Sequence, residues 1–167
     1  LSMGVLGCGS DPEPAPEFKD GSGQGEWFPE QVYADGPYGF EVGSTVENFN
    51  FVGYPNYVGN GAVLPVNLAH FYNPTGNGVY PAGSPYGEGQ PKPRALVMLI
   101  SSVWCGPCNQ EAASILPGHY SEYKPMGGQF LTVLIDGPTP GDPATWYNLE
   151  SWANTYNIDY SVVLDPA

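Results

Sequence analysis

The chain has very little positive charge. Its 167 residues contain four lysines and arginines against 17 aspartates and glutamates, which gives a formal net charge of −13. A surface of this kind repels phosphate backbones, so we do not expect nucleic acid among its partners. No apolar run in the sequence approaches the 18 residues that a membrane-spanning helix needs. Contact with a membrane would therefore need a lipid anchor.

Cysteine is scarce as well, with only Cys8, Cys105 and Cys108 in the chain. Cys8 ends the sequence VLGC and is followed by Gly-Ser, which resembles the lipobox of bacterial lipoproteins. In that family the signal peptide is cut before the cysteine and the thiol carries the lipid. The resemblance implies that residues 1–7 are a signal-peptide remnant and that Cys8 is a lipidation site. The alternative is a short buried strand with an incidental cysteine.

Lipidation of Cys8 would also imply where the protein is located in the cell. A lipoprotein of this type is anchored to a bacterial membrane on the periplasmic or another extracytoplasmic side. That environment is oxidising, so the remaining close pair of cysteines can form a disulfide there.

Composition divides the rest of the chain into three segments. Residues 8–25 are rich in proline, glycine and acids and predict a flexible acidic tether. Residues 26–92 contain short apolar pieces between turn signals and predict a loop-rich N-terminal extension, with a weak strand at FNFV and helical turns at NLAHFY. From residue 93 to 167 the pattern is regular and predicts the core domain.

The core segment alternates strands and helices. ALVMLIS (95–101), QFLTVLID (129–136) and YSVVLD (160–165) predict three strands, the first of them buried on both faces. Apolar residues at helical spacing predict two helices, and Pro117-Gly118 predicts a kink or break in the first. This order is typical of an α/β fold with a mostly parallel sheet and flanking helices. The apolar positions of the helices are Ala112, Ile115, Leu116, His119, Tyr120 and Tyr123 in the first, and Leu149, Trp152, Ala153 and Tyr156 in the second.

The two remaining cysteines lie where the first core strand gives way to a helix. A helix N-terminus stabilises a thiolate, the reactive form of cysteine. A structural zinc site needs four ligands, and only His70 and His119 remain as partners besides carboxylates. A disulfide that closes so short a loop contributes only about 2 kcal/mol. The pattern therefore favours redox chemistry over a metal site or a purely structural disulfide.

The residues ALVMLISSVWCGPC resemble the active-site strand and motif of the thioredoxin superfamily. Glu111 gives C-x-x-C-x-x-E, which is similar to the exported TlpA and ResA-like branch, and EVGSTVENFNF resembles the lead-in of redoxin proteins. The resemblance implies a thioredoxin-like thiol–disulfide oxidoreductase, with Cys105 and Cys108 catalytic. Their supporting neighbours would be Trp104, Gly106, Pro107 and Glu111. It also implies no cofactor or metal beyond the redox-active disulfide, and protein thiols or disulfides and an upstream electron donor as partners.

The sequence departs from the family at several positions. Leu99 stands where thioredoxins have a buried aspartate, so Glu111 is the nearest candidate base; alternatively it only complements the helix dipole. Ala113 replaces a family proline. The sequence ends before the family's cis-Pro loop, hairpin and last helix, so we expect a core that is incomplete at the C-terminus. In the family that cis-Pro loop holds the substrate backbone, so the resemblance implies the activity for the whole domain and not for this truncated chain.

Other interpretations remain open at this point. Trp146 and Tyr147, placed in a Pro-rich loop, either flank a substrate or pack on the core. A peroxiredoxin-like peroxidase would use P-x-x-x-[T/S]-x-x-C, for which Ser102 supplies the hydroxyl, but Met98 stands in place of the proline. A third hypothesis is a copper or haem-thiol delivery module without catalysis.

Overall fold

The computed structural model describes residues 32–57 and 61–165. The predictions for the signal remnant, Cys8 and the tether lie outside the described residues. Within them the chain is an α/β protein, as predicted. No helix among these residues is long and apolar enough to cross a membrane.

Five strands form one sheet. They are β1 (Asn50–Tyr54), β2 (Leu64–Asn67), β3 (Ala95–Ser102), β4 (Gly128–Asp136) and β5 (Ser161–Leu164). Their order across the sheet is β2-β1-β5-β4-β3. The three strands predicted for the core segment are β3, β4 and β5, and FNFV overlaps β1.

The sheet is mixed, so the expectation of a mostly parallel sheet is wrong. β3 pairs with β4 and β4 with β5 in parallel, but β1 is antiparallel to both β5 and β2. The antiparallel half comes from the residues predicted to form a loop-rich extension. The periodicity of the core segment predicted its own parallel pairings, and the weak alternation of FNFV carried no information about its partner strand.

β3 lies at the edge of the sheet, which corrects the prediction that it is buried on both faces. Among the described residues only β4 pairs with it. Val97 is 42% exposed and Ile100 is 54% exposed, while Leu99 packs against the core. A continuous apolar run is typical of a strand with both faces covered, but at the edge of this sheet the layers on its faces leave these side chains partly uncovered.

Three helices cover one face of the sheet. They are α1 (Gly106–Ser114), α2 (Leu116–Tyr123) and α3 (Trp146–Thr155). The predicted interruption of the first helix is present, but it lies at Ile115 and not at Pro117-Gly118. The first helix ends at Ser114, and Pro117 lies in the first turn of α2, where its missing N–H costs nothing. A 3₁₀ turn (Lys124–Met126) and Gly127, with φ at 88°, then lead into β4.

Two apolar clusters hold these layers together. The larger lies between the helices and the sheet and includes Leu116, Leu134, Leu149, Trp152 and Tyr160. The smaller lies on the opposite face, where residues of the N-terminal segment such as Phe51, Val66 and Phe71 pack against Leu131 and Val163. The segment assigned to an extension thus provides two strands and the cover of one sheet face.

Candidate redox site at the end of the edge strand

The site begins where β3 ends. A register irregularity separates Ser101 from Ser102 in the pairing with β4. The chain then turns, with the N–H of Cys105 donating to the carbonyl of Ser102 at 3.1 Å, and α1 starts at Gly106. The predicted strand-to-helix position of the cysteine pair is therefore confirmed.

Cys105 and Cys108 form a disulfide, with their Cα atoms 5.2 Å apart. Cys105 is the N-cap of α1, and its Sγ accepts a hydrogen bond from the N–H of Cys108 at 3.2 Å. Pro107 lies in the first turn, where its fixed φ suits a helix start. The sulfur of Cys105 thus lies at the positive end of the helix, where negative charge is stabilised.

The two cysteines differ in what they contact more than in exposure. Both are partly buried. Cys108 packs against the large apolar cluster between helices and sheet. Cys105 is outside that cluster and is preceded by Trp104, which is 47% exposed. The apolar surroundings of the pair therefore lie on the Cys108 side.

Asp136 is a site residue that the sequence reasoning missed. Its carboxylate Oδ2 accepts a hydrogen bond from the indole Nε1 of Trp104 at 2.9 Å. Its backbone carbonyl accepts from the N–H of Val103 at 3.0 Å. Asp136 ends β4, and the carboxyl ends of neighbouring parallel strands share one edge, so its place after QFLTVLI was the available signal.

A second missed contact ties α3 to the site. The hydroxyl of Tyr156 donates to Oδ1 of Asn109 at 2.8 Å, and Nδ2 of Asn109 donates to the carbonyl of Val103 at 3.1 Å. Asn109 follows Cys108 directly in α1. The carbonyl of Val103, just before the cysteine pair, is therefore bonded to α1, and α1 in turn to the residue that follows α3.

Leu99 and Glu111 are not arranged as a buried base. Leu99 is partly buried and apolar. Glu111 is exposed on α1, and none of the hydrogen bonds among the described residues joins it to either sulfur. Its negative charge contributes, after burial and the charge of Asp159, to the raised pKa of the Tyr160 hydroxyl. The role assigned to Glu111 stays a prediction.

Trp146 and Tyr147 begin α3, so the expectation of a loop position is wrong. Thr145 caps this helix, with Oγ1 accepting from the N–H of Asn148 at 3.3 Å, a signal that the pattern T-x-x-N carries. Trp146 packs against the large cluster, as its alternative interpretation predicted. Tyr147 is 77% exposed.

The two histidines have different surroundings. His70 is buried beside Asn67, and His119 is exposed and stacks on Tyr123 with ring centroids 5.9 Å apart. Among the described residues, no three His, Cys, Asp or Glu side chains are grouped to hold a metal ion.

Searches of protein-family models, of curated proteins and of solved structures found no match to this chain.

Proposed function

We propose that this protein is a thiol–disulfide oxidoreductase with a thioredoxin-like core, which exchanges electrons with protein thiols through Cys105 and Cys108. The observation that carries the proposal is the Cys105–Cys108 disulfide at the N-terminus of α1, with the Cys105 sulfur accepting a backbone N–H. In the reduced protein the same N–H group and helix dipole favour the thiolate at Cys105.

The chemistry runs in two exchange steps. In the reducing direction the Cys105 thiolate attacks one sulfur of a substrate disulfide, forming a mixed disulfide and releasing one substrate thiolate. The Cys108 thiolate then attacks Sγ of Cys105 and releases the second substrate thiolate. Two electrons pass to the substrate, and the Cys105–Cys108 disulfide remains. The oxidising direction is the reverse of these steps.

The contacts around the pair fit this order of attack. Cys108 packs against the apolar cluster, as a resolving thiol that a substrate does not attack would do. Trp104, half exposed and hydrogen-bonded to Asp136, gives a substrate a flat surface next to Cys105. An upstream electron donor would use the same face.

We further propose that the protein works outside the cytoplasm, anchored by a lipid on Cys8. The lipobox-like sequence and the acidic tether support this. An oxidising compartment suits a protein whose pair cycles between dithiol and disulfide.

Trapping of a mixed disulfide tests the proposal. Reduced Cys108→Ser should form a stable covalent complex with a disulfide-containing peptide, because the resolving thiol is absent. The matched control Cys105→Ser removes one sulfur as well but should form little complex. A non-reducing gel and mass spectrometry measure the product. Equal trapping by both variants, or none by either, would contradict the proposed roles.

A further inference from the structure

The few cations of this acidic chain are grouped. Three of its four lysines and arginines lie among the described residues, namely Lys92, Arg94 and Lys124. All three line one cavity of about 600 Å³, and no aspartate or glutamate lines it. Its volume is within the range of roughly 300–1,000 Å³ typical of small-molecule sites. A protein that repels anions over most of its surface thus has, within the described residues, a concave region lined by three cations and no acid.

The backbone and the side-chain stem of Arg94 contact Gly127, while the residue as a whole is exposed. Its N–H donates to the carbonyl of Gly127 at 2.8 Å, and its side-chain stem crosses Gly127 so closely that a Cβ there would lie 2.9 Å from Cγ. Gly127 also has a positive φ that other residues rarely adopt. Among the described residues the Arg94 guanidinium has no ion-pair partner. Its planar fork is suited to binding an oxyanion through two parallel hydrogen bonds.

Lys92 is positioned as well. Its ammonium donates to the carbonyls of Ala69 and Tyr72 at 3.4 and 3.3 Å and lies 5.9 Å from the centre of the Tyr80 ring. Burial lowers the pKa of Lys92. An anion bound beside the ammonium would offset that loss of solvation.

Lys124 completes the group. Its Nζ lies 4.9 Å from the centre of the Tyr120 ring. It also contacts Asp159 at 3.6 Å, but both side chains are more than half exposed, and such pairs contribute little. Lys124 can therefore turn to a ligand at small cost.

We propose that this cavity binds a small, multiply charged oxyanion, which is a phosphate ester or a polycarboxylate. Arg94 would form hydrogen bonds to the anionic group, and the two lysines would neutralise its charge. The tyrosine rings and prolines of the wall suit a flat or apolar body on the same ligand. The cavity borders the starts of β3 and β4, whereas the disulfide follows the end of β3. With about 3.3 Å per strand residue, the two sites lie some 25 Å apart, so the ligand takes no part in thiol exchange.

Calorimetric titration of the full chain with pyrophosphate and, separately, with citrate tests this. We expect saturable one-to-one binding of at least one of them, weaker at high salt. Arg94→Gln should weaken it by about tenfold or more, and Arg94→Lys by less, because the lysine keeps the charge but loses the fork. Ser151→Asp is the matched control: it makes the same change in net charge at an exposed position on α3 that does not line the cavity.

The affinity of the control should stay within about twofold of the wild type, as expected for a remote surface site. Preference for pyrophosphate or for citrate then identifies the anionic group. The absence of saturable binding of both anions would overturn the proposal, as would equal weakening by Arg94→Gln and Ser151→Asp. Binding of an acidic peptide without either small anion would also overturn it, in favour of a protein partner. Circular dichroism and thermal unfolding confirm that each variant is folded.

Discussion

At the scale of single residues, the protonation of His70 is set by its surroundings. The side chain is only 2% exposed. Its Nδ1 accepts the N–H of Asn67 at 3.4 Å, while Oδ1 of Asn67 accepts the N–H of His70 at 3.2 Å. Burial, and to a lesser extent the charge of Lys92, lowers the pKa of His70 to about 4. The folded protein therefore holds a neutral imidazole, which an unfolded chain protonates near its ordinary pKa of about 6.5.

This difference makes stability depend on pH. Because the folded-state pKa is depressed, the contribution of His70 is fully present above about pH 6.5 and is lost as pH falls through about 4. Between pH of about 7 and about 4.5 the wild type should lose about 2 kcal/mol of unfolding free energy from this site. Urea unfolding at several pH values measures it.

The matched variant for that prediction is His70→Gln. Glutamine does not titrate, and its side chain suits the same reciprocal cap with Asn67. Over the same interval the unfolding free energy of His70→Gln should fall by about 2 kcal/mol less than that of the wild type, because the carboxylates titrate alike in both proteins. Identical pH profiles for the two proteins would show that His70 is not the source.

At the scale of elements, the contact between β1 and β5 joins the N-terminal segment to the core. Gly53 of β1 is opposite Val163 of β5. A Cβ on Gly53 would collide with the carbonyl oxygen of Val162 and lie 2.5 Å from Cα of Val163. The absence of a side chain therefore lets the two strands come together.

Gly53→Ala should destabilise the fold by about 1–3 kcal/mol, because backbone atoms cannot move aside as a flexible side chain can. Gly118→Ala is the control: it lies in α2 with open space around its Cβ position, and alanine there should be neutral or stabilising. Urea unfolding curves give both free energies. If the two variants are equally stable, β1 does not pair with β5 as described.

Some elements of the fold could be predicted from the sequence, whereas contacts between distant residues could not. The apolar runs of β3, β4 and β5 and the helical spacing around Ala112 and Leu149 carry their own periodicity, so these elements and the cysteine junction were predictable. The pairing of β1 with β5 joins residues more than a hundred positions apart, and no local pattern encodes it. The same holds for the contact of Trp104 with Asp136, which depends on strand register.

The position of β3 at the edge of the sheet is another feature that the local sequence pattern could not predict. Its apolar run suited a central strand, but among the described residues only β4 pairs with it, which leaves Val97 and Ile100 partly exposed. Strand position within a sheet is decided by the other strands, and so it cannot be read from the strand itself.

At the scale of the whole molecule, the net charge bears on how the protein could be attached to a membrane. A chain with a net charge of −13 has no general electrostatic attraction to an anionic membrane surface. The lipid proposed on Cys8 would supply the attachment that charge does not, and the acidic segment of residues 8–25 would, under the same proposal, separate the folded part from the surface.

We therefore expect protein isolated from native membranes to begin at Cys8, with that residue carrying two or three acyl chains. Mass spectrometry of the N-terminal peptide measures this directly. Cys8→Ser, with Ser10→Ala as a control in the same segment, should release the protein from the membrane fraction. An unmodified Cys8, or a disulfide from Cys8 to Cys105 or Cys108, contradicts the anchor.

The central claim is that Cys105 is the attacking thiol of a redox pair. Alkylation of the fully reduced protein with iodoacetamide near neutral pH, followed by peptide mass spectrometry over time, tests it most directly. Cys105 should be labelled first, because its sulfur lies at the N-terminus of α1 and outside the apolar cluster, and Cys108 much more slowly. Labelling of Cys108 first, with Cys105 inert, would contradict both the assigned roles and the helix-terminus argument.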